Sequence, residues 1–325
     1  MRNQKPYLSF IIDPLENFNP EGETTLFMMK EAQSRGYGIF CVELPNLYCE
    51  GNEVWAKGKE IEILGMGKKP FYKEKQTLKL KLSETSAVLL RKDPPFDLSY
   101  LHHLYLLAQL RGRVYLMNDP VGVMAISEKV FPLWFGEYIP DTCITRSWEE
   151  AARFAKKQKK GCILKPLNSS GGRGVFYLKP QDSNLKVAFE TLGNEGREFV
   201  ICQEYLPAVQ KGDKRILLLG GEILGFFARV PAKGSHRANL HSGGHMKACK
   251  LTAEEIKAAQ FIGRVLQGWG IDFAGIDLIG GKLTEINVTS PMGIREINVV
   301  QKIKAEKKFM DLLEERIGQV DASKN

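Results

Sequence analysis

The chain has 325 residues, 43% hydrophobic and 26% charged, with a formal net charge of +8. That length asks for two or three packed lobes rather than one small core, and the composition excludes extensive disorder. Apolar runs such as Ser9–Ile12 and Ala87–Leu90 are strand-sized, far below the roughly 20 residues of a spanning helix, so no membrane segment is expected.

In chain order, Leu8–Asp13 reads as a strand ending in an Asp-Pro turn. Thr24 or Thr25 caps a helix over Leu26–Arg35, and Gly36 stops it. Gly38–Leu44 is strand-like, and Tyr48–Glu53 with Val54–Ile63 suggests a hairpin excursion. Ala87–Arg91 is a buried-type strand, Tyr100–Leu110 a helix and Val114–Asn118 a strand. This alternation predicts an open α/β sheet whose edge falls near Asp119-Pro120. Ser127 caps an expected helix through Phe135, and Trp148–Lys160 is a helix with a basic end. Cys162–Lys165 and the strand Val175–Leu178 flank Asn168-Ser-Ser-Gly-Gly-Arg-Gly174. Strand, glycine turn, strand is a hairpin, unlike the phosphate loops that feed a helix. Phe199–Tyr205, Arg215–Leu219, Ile223–Val230 and Phe273–Val288 read as strands, and Ala253–Gln267 as a helix. The polar residues after Gly318 are expected to fray.

No charged leader, long apolar stretch and small-residue cleavage site precedes Tyr7, and a cytoplasmic protein is expected. The cysteines at 41, 49, 143, 162, 202 and 249 form no CxxC pair. Cys41, Cys162 and Cys202 lie in apolar runs, where buried free thiols are normal. The positive charge suits either nucleic acid or small polyanions in a cleft. No arginine-rich arm, zinc pattern or aromatic-basic signature supports the first.

The stretch Phe273–Pro291 carries most of the chemistry. Asp277, Glu285 and Asn287 are hard oxygen donors of the type Mg2+ takes beside phosphate oxygens. Glu285 and Asn287 are two apart, so on a strand they share a face. Asp277 and Glu285 are centred on Gly281, so an odd-numbered loop sets them opposite one another. A three-residue loop, Gly280-Gly281-Lys282, with a glycine bulge is therefore predicted. A two-residue Gly280-Gly281 turn would pair Asp277 with Thr284 and send Glu285 to the other face. Ile276, Leu278, Ile286 and Val288 then point to the core. The competing reading, a solvated hairpin with acids outside, is disfavoured by the Glu-Ile-Asn order inside an apolar strand.

Other signals are weaker. Ser169–Gly174 is either a phosphate cradle of exposed N–H groups or an ordinary hairpin tip. Lys165, closing an apolar strand, is an edge residue or a cation aimed at a phosphate. Lys129 would ordinarily be a solvated helix residue. Gln203-Glu204-Tyr205-Leu206-Pro207 suits a segment between lobes whose backbone reads an adenine edge. Asp213, Arg215 and Arg229 read singly as strand margins. Lys233–Lys250, with Arg237 and Asn239, is too long for a tight turn and reads as a lid or as disorder. His236, His241 and His245 lack a carboxylate or cysteine partner at fixed spacing, so a histidine metal site is not expected.

Taken together, Lys129, Ile163-Leu-Lys165-Pro with its glycine hairpin, Gln203–Leu206, and Asp277 with Glu285-Ile-Asn287 resemble the ATP-grasp ligases. Arg91-Lys-Asp-Pro-Pro-Phe-Asp97, Gly212-Asp-Lys-Arg215, Ala228-Arg-Val-Pro231 and Glu285-Ile-Asn-Val-Thr-Ser-Pro291 with Ile294-Arg-Glu296 are similar, more specifically, to the bacterial glutathione synthetase family. The resemblance runs from about Leu8 to about Arg316. It implies an α/β chain with an ATP-grasp fold: an N-terminal open-sheet domain (1–122), a small central lid (123–200), a C-terminal ATP-grasp subdomain (201–316) and a frayed tail (317–325).

The resemblance further implies an enzyme that joins γ-glutamylcysteine to glycine through an acyl phosphate. ATP is the phosphoryl donor, with two Mg2+ ions for which Mn2+ can stand in. It assigns Lys129, Lys165, Ser170, Gly171 and Gly172 to the ATP phosphates, Gln203, Glu204, Tyr205 and Leu206 to the adenine, and Asp213 to the ribose. Asp277, Glu285 and Asn287 are the implied metal ligands. Arg215 and Arg229 would stabilise the acyl phosphate and its tetrahedral successor, and Arg237 and Asn239 would sit on a closing loop, Lys233–Gly244. Arg91, Ser290 and Arg295 would bind the dipeptide carboxylates. A homotetramer is implied, with neither nucleic acid nor membrane as partner. Arg173 and the histidines of the loop depart from the family pattern. A ligase with a different acceptor and a non-catalytic nucleotide- or nucleic-acid-binding protein are the rival readings. The Arg91–Asp97 segment disfavours the first and the complete donor set the second.

Overall fold

The computed structural model describes residues 6–67, 69–168, 171–231 and 244–324. The first unit contains β1 (Tyr7–Ile12), α1 (Thr24–Ser34), β2 (Gly38–Val42), β3 (Leu47–Glu50), β4 (Glu53–Ile63), β5 (Tyr72–Lys81), β6 (Ala87–Arg91), α2 (Leu98–Ala108) and β7 (Tyr115–Met117). Its sheet runs β3-β4-β2-β1-β6-β7, with β5 on β4. β1, β2, β6 and β7 are parallel. β2 and β6 are buried at every position, which explains their unbroken apolar runs. The chain leaves β1 for β2 on one side and reaches β6 on the other, so the topology switches between β1 and β6. In open α/β sheets the crevice beyond such strand ends is where ligands bind, and here it is flanked by Asp13 and Arg91.

The α1 cap differs from expectation. Glu23, not a threonine, is the N-cap, and its Oε1 accepts the Thr25 N–H at 3.0 Å. The two buried threonine hydroxyls serve distant segments instead. Thr24 Oγ1 accepts the N–H groups of Gly293 (3.0 Å) and Ile294 (3.3 Å), and Thr25 Oγ1 accepts Arg91 Nε (3.1 Å).

The helix expected over Ser127–Phe135 is replaced by two shorter pieces. Asp119 caps α3 (Pro120–Ala125), with Pro120 at the first helical position, a stronger start signal than Ser127. A turn then leads to a 3-10 stretch, Phe131–Tyr138, broken at Gly136. β8 (Thr142–Thr145), α4 (Trp148–Lys157), β9 (Cys162–Pro166), β10 (Phe176–Leu178), α5 (Leu185–Leu192) and β11 (Val200–Glu204) follow. Their sheet is ordered β10-β9-β11-β8 and is antiparallel. The glycine turn does join two antiparallel strands. β11 pairs with β8 and β9, so residues 200–204 pack with this second unit, beyond the division expected at 200.

The third unit is β12 (Asp213–Leu219), β13 (Glu222–Val230), β14 (His245–Lys247), α6 (Ala253–Gly268), β15 (Phe273–Ile279), β16 (Lys282–Asn287), α7 (Ile294–Gln301) and α8 (Ala305–Ala322), with sheet order β14-β13-β12-β15-β16. The tail expected to fray after Gly318 remains helical to Ala322. Phe309, Met310 and Leu313 anchor α8 in the core, and Arg35 reaches Asp311 and Glu314. Once its first turns are fixed, helix propagation costs little.

Two hydrophobic cores each draw on the first and third units: Ile11 and Leu90 with Ile216 and Ile276, and Phe10 and Leu89 with Leu217 and Phe273. The second unit has its own core around Leu164, Val200 and Cys202. The first and third units therefore form one packed body, and the second lies over it as a separately cored flap. Cys41, Cys162 and Cys202 are buried, and all six cysteines are free thiols. Among the described residues no helix is long and apolar enough to cross a membrane.

Candidate active site

The β15–β16 hairpin sets Asp277 opposite Glu285, as expected, but by another route. The turn has two residues, Gly280 (φ 57°) and Gly281 (φ 81°), both in the left-handed region that glycine adopts at little cost. Ile279 pairs with Lys282 and Leu278 with Leu283, after which the register slips and Thr284 is the extra residue. This bulge restores the odd offset that a three-residue loop was expected to supply. Thr284 Oγ1 donates to the Asp277 carbonyl at 3.1 Å. Ile276, Leu278, Ile286 and Val288 are buried in the core.

Asp277 is 3% exposed and sits in a lattice of charges spanning β12, β13 and β15. Arg215 is its cross-strand neighbour and donates from Nε to Oδ1 at 2.5 Å and from a terminal nitrogen to Oδ2 at 2.9 Å. Arg229 reaches the same Oδ2 at 2.9 Å and grips Asp213, its own cross-strand partner, through two bonds of 2.7 Å. Burial pushes the Asp277 carboxyl up, but Arg215 and Arg229 outweigh it and hold it well below the usual carboxylate range. A Cβ at Gly275 would lie 3.2 Å from Pro291 Cβ, a tight contact, and beside Arg215. Asn287 donates to the Gly275 carbonyl at 3.2 Å, and Arg215 also reaches the Met292 carbonyl at 3.1 Å.

Two lysines approach Glu285 from outside this hairpin. Lys129, in the turn before the 3-10 stretch, places Nζ 3.3 Å from Glu285 Oε1 and donates to the Leu167 carbonyl at 3.3 Å. Lys165, at the end of β9, donates to Gln203 Oε1 at 3.1 Å and to the Thr284 carbonyl at 3.3 Å. Burial pulls the Lys165 ammonium down to about 8, against the carboxylates of Glu285 and Asp277. Gln203 donates in turn to Thr142 Oγ1 at 2.8 Å, so its side chain orients Lys165.

Asp277, Glu285 and Asn287 suit a hard divalent cation: two carboxylates and one amide oxygen, gathered on paired strands. A carboxylate has about four acceptor positions, and the arginines take three on Asp277. Glu285, with a side chain 25% exposed, is the more open donor.

Gly171 (φ 67°) and Gly172 (φ 74°) form the turn beyond β9. Ser170, Arg237 and Asn239 lie outside the described residues, as do His236 and His241. The N–H groups of Glu204 and Tyr205 are taken by the carbonyls of Asp141 (2.9 Å) and Gly161 (3.1 Å). Among the described residues the Leu206 N–H has no backbone partner, which leaves it as the donor this segment can offer. Asp213 is buried against Arg229, with both oxygens engaged. Arg91 is buried too, donating to Thr25 and, at 3.1 Å, to the Pro291 carbonyl. The cavity beside it is about 10 Å³, room for one water and not for a dipeptide. Ser290 and Arg295 are partly exposed just beyond β16.

Sequence reasoning passed over Glu128. Its Oε1 accepts the Val288 N–H at 3.2 Å and the Thr289 hydroxyl at 3.0 Å. Its position before Lys129 was the available signal, but an acid beside a lysine is ordinary on any surface.

The family model for the prokaryotic glutathione synthetase N-terminal domain matches residues 7–123, and that for the prokaryotic glutathione synthetase ATP-grasp domain matches residues 128–302. The chain belongs to the prokaryotic glutathione synthetase family. Within that family, glutathione synthetase from Vibrio parahaemolyticus is 39% identical over 313 residues, covering 95% of this chain and 98% of its relative. Glutathione synthetase from Escherichia coli is 36% identical over 314 residues, covering 96% and 99%. The solved structure of the ATP-grasp ligase PsnB complexed with minimal precursor matches with a TM-score of 0.63 at 16% identity, covering 96% of this chain and 100% of that one. At that identity the likeness shows the fold: the flap and body described above are an ATP-grasp arrangement.

Proposed function

We propose that the protein is an ATP-dependent ligase that joins the cysteinyl carboxylate of γ-glutamylcysteine to the amine of glycine, releasing ADP, phosphate and glutathione. The observation that carries this reading is the convergence of Lys129 and Lys165 on Glu285, opposite Asp277, in a chain similar to glutathione synthetases over nearly its whole length.

The physical difficulty is charge, because a carboxylate must attack a triphosphate. Lys129, Lys165 and the N–H groups of the Gly171-Gly172 turn would neutralise the phosphates. Gln203 sets the direction of Lys165, and the Glu204–Leu206 segment would line the adenine. Asp277, Glu285 and Asn287 would hold two Mg2+ ions, or Mn2+, whose chemistry is to neutralise bridging phosphate oxygens. The substrate carboxylate oxygen bonds to the γ-phosphorus as the bond to ADP breaks. The glycine nitrogen then bonds to the acyl carbon, phosphate leaves, and the ammonium proton is lost. Arg215 and Arg229, aimed by Asp277 and Asp213, would face the negative charge that develops in both steps. Ser290 and Arg295 would take the dipeptide carboxylates, while Arg91 holds the Pro291 carbonyl and so the loop that carries Ser290. A cytoplasmic homotetramer completes the proposal by family resemblance.

The test is ADP release with ATP, Mg2+, γ-glutamylcysteine and glycine, omitting each in turn. Turnover that needs both amino substrates and yields glutathione is expected. ADP formed only with another acceptor would sink the acceptor assignment, and silence over a panel of acceptors would sink the ligase reading.

A further inference from the structure

β16 is the outer strand of its sheet, so among the described residues one of its edges has no strand to pair with. An unpaired edge leaves backbone donors that need acceptors. Glu128 supplies them. Its carbonyl accepts the Ile286 N–H at 2.9 Å, its Oε1 accepts the Val288 N–H at 3.2 Å, and the same oxygen accepts the Thr289 hydroxyl at 3.0 Å. Ile286 and Val288 alternate with Glu285 and Asn287 along the strand. Holding their N–H groups therefore fixes the pleat, and with it the direction in which the two donor side chains leave the sheet. The next residue, Lys129, stands 3.3 Å from Glu285 Oε1. One dipeptide thus carries both a cation for the phosphates and a clamp for the metal-bearing strand.

We propose that Glu128 is a positioning residue that fixes β16, and so Glu285 and Asn287, relative to Lys129. The proposal rests on the reading of β16 as the metal-bearing strand. Its hydrogen-bond partners are neutral N–H and O–H groups, so the proposed positioning works through hydrogen-bond acceptance, which an amide oxygen can also supply.

The experiment is calorimetric binding of a non-hydrolysable ATP analogue to the full chain, with and without Mg2+, and no acceptor present. Glu128→Ala is expected to weaken Mg2+-supported binding about tenfold, the lower end for partners of metal ligands, and to leave Mg2+-free binding unchanged. Glu128→Gln keeps an acceptor oxygen and is expected to restore affinity to within about twofold. Thr289→Val removes one of the three bonds and is expected to give a smaller loss, again only with Mg2+. Equal losses with and without Mg2+, or a Glu128→Gln protein as impaired as Glu128→Ala, would overturn the proposal alone. Should Glu128→Ala fail to fold, a Thr289→Val protein with unchanged Mg2+-supported binding overturns it. If the unaltered protein gains no affinity from Mg2+, the metal reading of β16 falls and this proposal with it.

Discussion

Asp277 and Lys165 lie in the same cleft and are almost equally buried, 3% and 8% exposed. Their charges are nevertheless handled in opposite ways. Asp277 is gripped by two arginines, one of which also grips Asp213, so this lattice is neutralised before any ligand arrives. Lys165 touches an amide oxygen and a carbonyl, and among the described residues it makes no ion pair. A buried charge without a counter-ion is costly. The lattice therefore holds its own shape before substrate binds, while on the proposed reading Lys165 would be a charge that a ligand completes. A triphosphate is the ligand that the family provides for it.

That contrast fixes what each substitution does. Asp277→Ala leaves Arg215 and Arg229 buried without their shared carboxylate, and a loss of about 3–5 kcal/mol is expected in urea unfolding. A loss under about 1 kcal/mol would show that the lattice is not structural. Glu285→Ala removes an open, partly exposed donor. It should lower ADP formation at least about a hundredfold; near-normal turnover would remove Glu285 from the metal set. Lys165→Met should raise the ATP KM about tenfold, the value of one charge-assisted bond, with little change for the dipeptide. Its unfolding stability at pH 7 should hold or rise, the opposite of Asp277→Ala. The reverse pattern of KM values would put the lysine in the wrong pocket.

The pH dependence sharpens the same point. The folded-state pKa of Lys165 is about 8, below its ordinary 10.5. Between those values the unfolded chain binds more protons, so this residue makes stability rise with pH. Its burial cost is fully present below pH 8 and is gone above 10.5. The advantage of Lys165→Met in thermal unfolding should therefore be largest at pH 7 and shrink towards pH 10; an advantage independent of pH would be a packing effect.

Much of the body was legible because local patterns agreed with tertiary ones. The runs Leu8–Asp13 and Ala87–Arg91 became parallel strands, and the positions of Asp277, Glu285 and Asn287 on one hairpin followed from counting. The details that failed were decided by distant partners. Thr24 and Thr25 look like caps, but Gly293, Ile294 and Arg91 claim their hydroxyls. The bulge at Thr284 and the glycine turn give the same pairing as a longer loop, so residue spacing could not separate them. α8 survives past Gly318 because its earlier residues are buried against the body. Glu128 was invisible because its role is to serve an edge that only the folded sheet creates.

The most direct test of the central claim, that Lys165 is the buried cation completed by nucleotide phosphate, is proton uptake on binding. An ATP analogue with Mg2+ is titrated into the protein at pH 8 in buffers of low and high ionisation enthalpy. With the Lys165 pKa lowered by burial towards that pH, net proton uptake on binding is expected, and none in Lys165→Met. No uptake by the unaltered protein, or the same uptake by the variant, would contradict the account.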